Sequence, residues 1–307
     1  MKTQDAPLPS GFAGAAVVSS DQPLASVVSI KNTNVPLSAG STTQGAYNGT
    51  SVPATTISFP SVWRFSGIAS TVTIQNTENT ATTATAAFFD RDGNSLGSSV
   101  INLGANGSKT IDMRNINLPG VNWPNSVADG SITVTSANAL AGASTAAWPN
   151  RAGAYQALTA SDEGTVLYAS SHYRFKTNPS NAEYTLFSAI NIQNTDAVND
   201  APITVEYFTR GDVSGNPALT INTTVPAGSA IGLNTKNGAS VDAAEFNPLG
   251  TDWDGSVKIT SDNAIPLVGT GVTNWGVAGY AGIYALTSAD AGAETIYIPS
   301  SISSCIG

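Results

Sequence analysis

The chain has 307 residues, 41% of them hydrophobic, enough apolar content to fill more than one core, and this excludes a disordered chain. Only 11% of residues are charged and the net charge is −9, so the sparse Lys and Arg cannot assemble the basic surface that a nucleic-acid partner requires. A single cysteine, Cys305, and a single histidine, His172, exclude an internal disulfide and a Cys/His zinc site. No apolar run reaches the roughly 18 residues of a membrane span, and MKTQDAPLPSG lacks the apolar core of a signal peptide.

In chain order, the first apolar alternation is GAAVVSSDQPLASVV at 14–28, with Ala16, Val18 and Leu24 on one face. It reads as the closing strands of a β domain. GAY at 45–47 follows, then the strand TTISFPS at 55–61, the aromatic-basic step WRF at 63–65, IQNT at 74–77, AAFFDRDGN at 86–94, GANGS at 104–108 and GSITVTSANALAG at 130–142. The same order then recurs: GAY at 153–155, GTVLYAS at 164–170, YRF at 173–175, IQNT at 192–195, VEYFTRGDVSGN at 205–216, PAGS at 226–229 and GSVKITSDNAIPL at 255–267. AGIYALTSADAGAETIYIPSS at 281–301 begins a further round. Agreement in this order over more than a hundred residues marks a duplication.

Within each block apolar residues alternate with period two, as half-buried strands require. The reading pairs Ile57 and Phe59 with Val166 and Tyr168, Val72 and Ile74 with Ile190 and Ile192, and Ala84, Ala86 and Phe88 with Ile203, Val205 and Tyr207. It also pairs Ile111 and Met113 with Ile231 and Leu233, and Ile132 and Val134 with Val257 and Ile259. No helical periodicity competes. The expected fold is all-β: two tandem antiparallel immunoglobulin-like β-sandwiches with partial repeat units at both termini. The expected division is closing strands of a partial unit at 1–44, a first sandwich at 45–150, a second at 151–279 and a tail at 280–307.

LPSGFAGAAVVSSDQPLASVV, IQNTENTATTATAAFFDRDGNSLGSSVINLGANGSKTIDMRN and TIYIPSS resemble the tandem repeats of large bacterial cell-surface proteins, similar in style to the cell-adhesion-related domain of bacteria. The resemblance covers nearly the whole chain. It implies an extracellular or cell-surface β-sandwich array, and it brings no catalytic residues and no cofactor.

The ends are out of phase with the repeat. Ala16, Val18 and Leu24 align with Ile132, Val134 and Leu140 as core of a partial unit, while Ile296 and Ile298 align with Ile57 and Phe59. An isolated strand built from Thr295, Ile296, Tyr297 and Ile298, with Ile302 beyond it, needs a partner. It either folds back on the second sandwich, belongs to a piece of a longer array, or adds to a neighbouring molecule. The last reading makes the chain a structural subunit of an extracellular filament whose partners are copies of itself, and a contact of that head-to-tail kind builds filaments when it does not close. The alternative is an adhesive or carbohydrate-binding surface module.

Other motifs are weaker. Asp90, Asp92 and Asn94 have the alternate spacing of calcium loops, but the segment also suits a hairpin turn, and no downstream Glu completes a loop. Asn48, Asn106 and Asn222 each begin an N-x-[ST] triplet, so glycans are candidate partners. Arg210-Gly211-Asp212 falls in the equivalent turn. His172, beside Tyr173 and Arg174, is read as a surface or loop residue; no nucleophile motif accompanies it, and the chain is expected not to be an enzyme. Trp123, Trp148, Trp253 and Trp275 recur near unit ends, where they serve either the scaffold or a sugar-binding face. Cys305 is either a spare thiol or a link between molecules.

Overall fold

The computed structural model describes residue 9 and residues 14–31, 44–65, 67–148, 151–178, 181–275 and 280–291. It is an all-β, sandwich-like structure of antiparallel sheets with only short 3₁₀ turns between strands. The described strands are β1 (Val27–Lys31), β2 (Gln44–Asn48), β3 (Ala54–Phe65), β4 (Ile68–Asn76), β5 (Thr82–Asp90), β6 (Ser95–Leu103), β7 (Ser108–Asp112), β8 (Asp129–Trp148), β9 (Arg151–Gln156) and β10 (Val166–Arg174). There follow β11 (Lys176–Asn178), β12 (Asn181–Asn194), β13 (Ala201–Thr209), β14 (Leu219–Val225), β15 (Ala230–Asn234), β16 (Gly238–Ala239), β17 (Trp253–Ser261), β18 (Leu267–Trp275), β19 (Tyr280–Ala285) and β20 (Thr287–Ser288).

Two hydrophobic cores organise these strands. Around the first, β8 serves both layers: its leading half pairs with β3 and β5, and its trailing half with β4 and β9. Around the second, the same path is split into separate strands. One sheet runs β14-β13-β17-β10-β20 and the other β16-β15-β12-β18-β19. Alternation drives both, as in β17, where every second residue from Trp253 to Ser261 is buried. Ile57, Phe59, Phe88, Ile132 and Val134 are fully buried in the first core, and Leu167, Ile190, Val205, Tyr207 and Ile259 in the second. Each such side chain contributes about 1.5–3 kcal/mol relative to exposure.

Several repeated words of the sequence prove to be fastenings. Asn76 and Asn194, the Asn of each IQNT, are fully buried. Asn76 Nδ2 donates to Thr80 O (2.7 Å) and Gly104 O (2.9 Å), and Asn194 Nδ2 to Asn199 O (2.7 Å) and Val225 O (3.2 Å), so each amide ties two loops together. The Arg of WRF and YRF holds the loop before β8 or β17: Arg64 donates to Trp123 O, and Arg174 to Thr235 O, Gly250 O and Asn247 Oδ1. The Tyr of each late GAY or GIY clamps a bulge. Tyr155 Oη donates to Ser61 O (2.8 Å), and Tyr284 Oη to Ser171 O (2.7 Å).

That clamp corrects the reading of GAY as the opening of a unit. β9, which carries Gly153-Ala154-Tyr155, pairs with β8 and buries Tyr155 in the first core. Residues 151–156 therefore close the first set of strands, and β19 closes the second in the same way by pairing with β18. The boundary drawn between residues 150 and 151 runs through a hairpin, and the one drawn between 279 and 280 precedes β19.

Registers correct two pairings as well. Ile57 and Phe59 face Val134 and Ile132, while Leu167 and Ala169 face Ile259 and Val257. The true counterparts are thus Leu167 and Ala169, both fully buried, and Tyr168 is 43% exposed. A slip of one residue along a strand exchanges its faces. Similarly, Val72 opposes Ile111 and Ile190 opposes Leu233, so Ile111 matches Leu233 rather than Ile231.

The same registers place His172 opposite Gly255 and Val62 opposite Gly130, making His172 the counterpart of Val62. It is no surface residue: it is fully buried against Tyr207, ring centroids 5.8 Å apart. Neither ring nitrogen has a hydrogen-bond partner among the described residues. Burial holds its pKa at about 3, below the ordinary 6.5. Between those values the unfolded chain binds a proton that the folded chain does not, so stability present above about pH 6.5 is lost as the pH falls. From this group alone the protein is expected to be about 2 kcal/mol less stable near pH 5 than near pH 7. Urea unfolding of His172→Val at both pH values checks this; the substitution should remove that difference.

Candidate functional site

Outside the two cores, the most elaborated surface is the seam between their sheets. The outward face of β3 and the leading half of β8 lies against the outward face of β12, β15 and β18, while β9 lies against β19. Ser61 Oγ and Thr270 Oγ1 share a buried hydrogen bond of 2.6 Å, and Gln193 Nε2 donates to Thr133 Oγ1 at 2.8 Å. Val272 and Ile283, from the second set of strands, complete the first core cluster. At one end of the seam a small cleft is bounded by Pro60, Arg91, Asp129, Asn191, Ile231 and Gly232. Burial raises the Asp129 carboxyl, and its ion pair with Arg91 opposes that shift.

The tightest approach in the seam is at the second GAY. A Cβ on Gly153 would stand 2.4 Å from Ile283 Cγ1 and 3.4 Å from Ile283 Cβ, so only glycine lets β9 and β19 come this close. The hairpin β1–β2 repeats the arrangement upstream. β2 lies against β9, and a Cβ on Gly45 would stand 3.2 Å from Ala154 Cβ. Ala154 and Ile283 each follow the glycine of their own strand.

The sequence candidates fall elsewhere or outside the described residues. Asp90 Oδ1 accepts from the backbone N–H groups of Asp92 and Asn94, and Oδ2 from Asn94 Nδ2, so the carboxylate closes its own turn. Among the described residues no group of three His, Cys, Asp or Glu side chains is placed to hold a metal ion. Asn48, Asn106 and Asn222 are all exposed; Asn106 occupies a left-handed turn position with φ 53°. Arg210 is ion-paired with Asp254, within the exposed Arg210-Gly211-Asp212 turn.

Trp123 and Trp253 are buried and pack on Phe88 and Tyr207 at 6.2 and 6.1 Å. They belong to the scaffold. Trp148 and Trp275 end β8 and β18. Ala16, Val18 and Leu24, expected as core, are exposed, Val18 by 73% and Leu24 by 55%. In the complete copies the matching Ile132 and Val134 lie between β3 and β5. Thr295, Ile296, Tyr297, Ile298, Ile302 and Cys305 lie outside the described residues. No helix among the described residues is long and apolar enough to cross a membrane.

The seam was not legible in the repeat. Its signal was the Gln of IQNT, polar yet fully buried at Gln193. No family model and no curated protein matches this chain.

Gly153→Ala is expected to destabilise by about 1–3 kcal/mol through overpacking against Ile283. Ile283→Ala in the same chain should recover part of that loss. A double-mutant cycle by urea unfolding checks this, with a coupling of about 0.5–3 kcal/mol expected and simple additivity contradicting the contact.

Proposed function

We propose that the chain is a structural subunit of an extracellular filament or surface layer, built of two tandem immunoglobulin-like sandwiches with a partial unit at each end, and acting mechanically rather than as an enzyme. The observation that carries this reading is the Tyr clamp. Each complete set of strands pairs an early bulge with a late Tyr, Ser61 with Tyr155 and Ser171 with Tyr284. By sequence, the chain holds one more of each in the wrong order: Tyr47 of the first GAY near its start, and Ser300 of TIYIPSS near its end.

In the proposed assembly Ser300 of one molecule meets Tyr47 of the next and forms one more such clamp. The segment Thr295 to Ile302 adds as a strand to the closing strands of a neighbour's 14–50 region, a mode in which ladder hydrogen bonds give affinity and alternate side chains give register. The joint so made lacks counterparts of β4–β7, so it couples molecules without rebuilding a whole sandwich. The resemblance to bacterial cell-surface repeats and the sparse surface charge support an extracellular setting, and the exposed Asn48, Asn106 and Asn222 leave room for glycans.

Electron microscopy of the purified chain beside a version truncated after Ala293 tests the proposal. Fibres from the full chain and monomers from the truncated one are expected. Monodisperse monomers from both would sink it, and would favour a segment of a longer surface array.

A further inference from the structure

The seam between the cores carries a direction. Each late strand presents a glycine toward the strand after it and a small or aliphatic residue toward the strand before it. Gly45 meets Ala154, and Gly153 meets Ile283. The third glycine of the series, Gly282, occupies the same place on β19, and among the described residues no atom lies within 4 Å of the position its Cβ would take. It is exposed, although its neighbour Ile283 is buried. At the other end, Ala46 occupies the place of Ala154 and Ile283 on β2, and it too is exposed.

A second observation points the same way. The surface that the first set of strands hides in the seam is open on the second. Ser58 is 4% exposed, whereas its counterpart Tyr168 is 43% exposed. The ion pair of Arg91 and Asp129 has side-chain exposures of 34% and 10%, and its counterpart of Arg210 and Asp254 has 60% and 19%. Ser131 is fully buried, and its counterpart Ser256 only in part.

We infer that the open face of β19 at Gly282 is the docking site for the β1–β2 hairpin of a second copy of this chain, with Ala46 of that copy seated against Gly282. The occupant is fixed by repetition: the hairpin already sits on β9 as β9 sits on β19, and Ala46 is the exposed residue of the chain that the series calls for. This deepens the proposed head-to-tail assembly and rests on it, since it names the surfaces that meet alongside the added strand.

The geometry supplies its own test. In the two existing contacts the Cβ positions lie 3.2 and 3.4 Å apart, close to the roughly 3.5–4.5 Å that a disulfide spans. Ala46→Cys and Gly282→Cys are made separately in full chains carrying Cys305→Ser, and the two are mixed and oxidised with glutathione disulfide. The A46C–G282C pair is expected to dominate over both homodimers on a non-reducing gel, and a chain carrying both substitutions should run as a ladder. Gly153→Cys with Ile283→Cys, in the same background, is the control and should close within one chain. Closure of the control with no excess of the mixed pair overturns the inference. Microscopy of the reduced variants separates the two ideas: fibres without the mixed pair defeat this docking alone, and the mixed pair without fibres defeats strand addition while leaving the docking in place.

Discussion

The close approach of β9 to β19 is the constraint around which the molecule is arranged. A glycine on one strand admits the side chain of the next, and that distance brings the flanking sheets into hydrogen-bonding range, where Ser61 reaches Thr270 and Gln193 reaches Thr133. Sheets that pack this closely behave as one body, because a dense interior transmits rather than absorbs displacement. A surface poor in charge suits such stacking. Ser, Thr, Gln and Gly can be buried against like residues at small desolvation cost, provided that each hydroxyl or amide finds a partner.

Within each set of strands the polar fastenings do complementary work. The Asn of IQNT holds the loops at one end, the Arg of WRF or YRF holds the loop at the other, and the late Tyr pins the bulge between them. Burial pushes the Tyr155 hydroxyl above its ordinary pKa and that of Tyr284 up to about 12, so both stay protonated donors throughout the physiological range. Each of these motifs thus fastens a loop or a bulge in both sets of strands.

Much of this was legible in the sequence. Period-two alternation marks the strands, and the order of motifs marks the duplication, because both depend on local pattern. Register was less legible. TISFPSVWRF and TVLYASSHYRF differ by one residue; both strands carry the same bulge, between Phe59 and Val62 and between Ala169 and His172, so the extra residue falls before Leu167. Aligning from the left puts Tyr168 in the core, whereas aligning from the Arg-Phe step puts Leu167 there and matches His172 with Val62. The burial of His172 follows from that alignment and from nothing in its own chemistry. The seam was hidden for another reason: Gly153 and Ile283 lie far apart in the chain, and only the stacking of sheets brings them together. GAY looked like an opening because it precedes each new strand, yet its Tyr reaches back to the strand that came before.

In the proposed assembly one kind of contact, the glycine of one late strand against the side chain of the next, relates successive sets of strands both within a chain and between chains. Cryo-electron microscopy of the assembled protein tests it most directly, by comparing the contact of β9 on β19 inside one chain with that of β19 on β2 of the next. The proposed assembly requires the same rotation and translation for both, with Gly282 against Ala46. Joined ends that meet through other faces, or through a different rotation and translation, would contradict it.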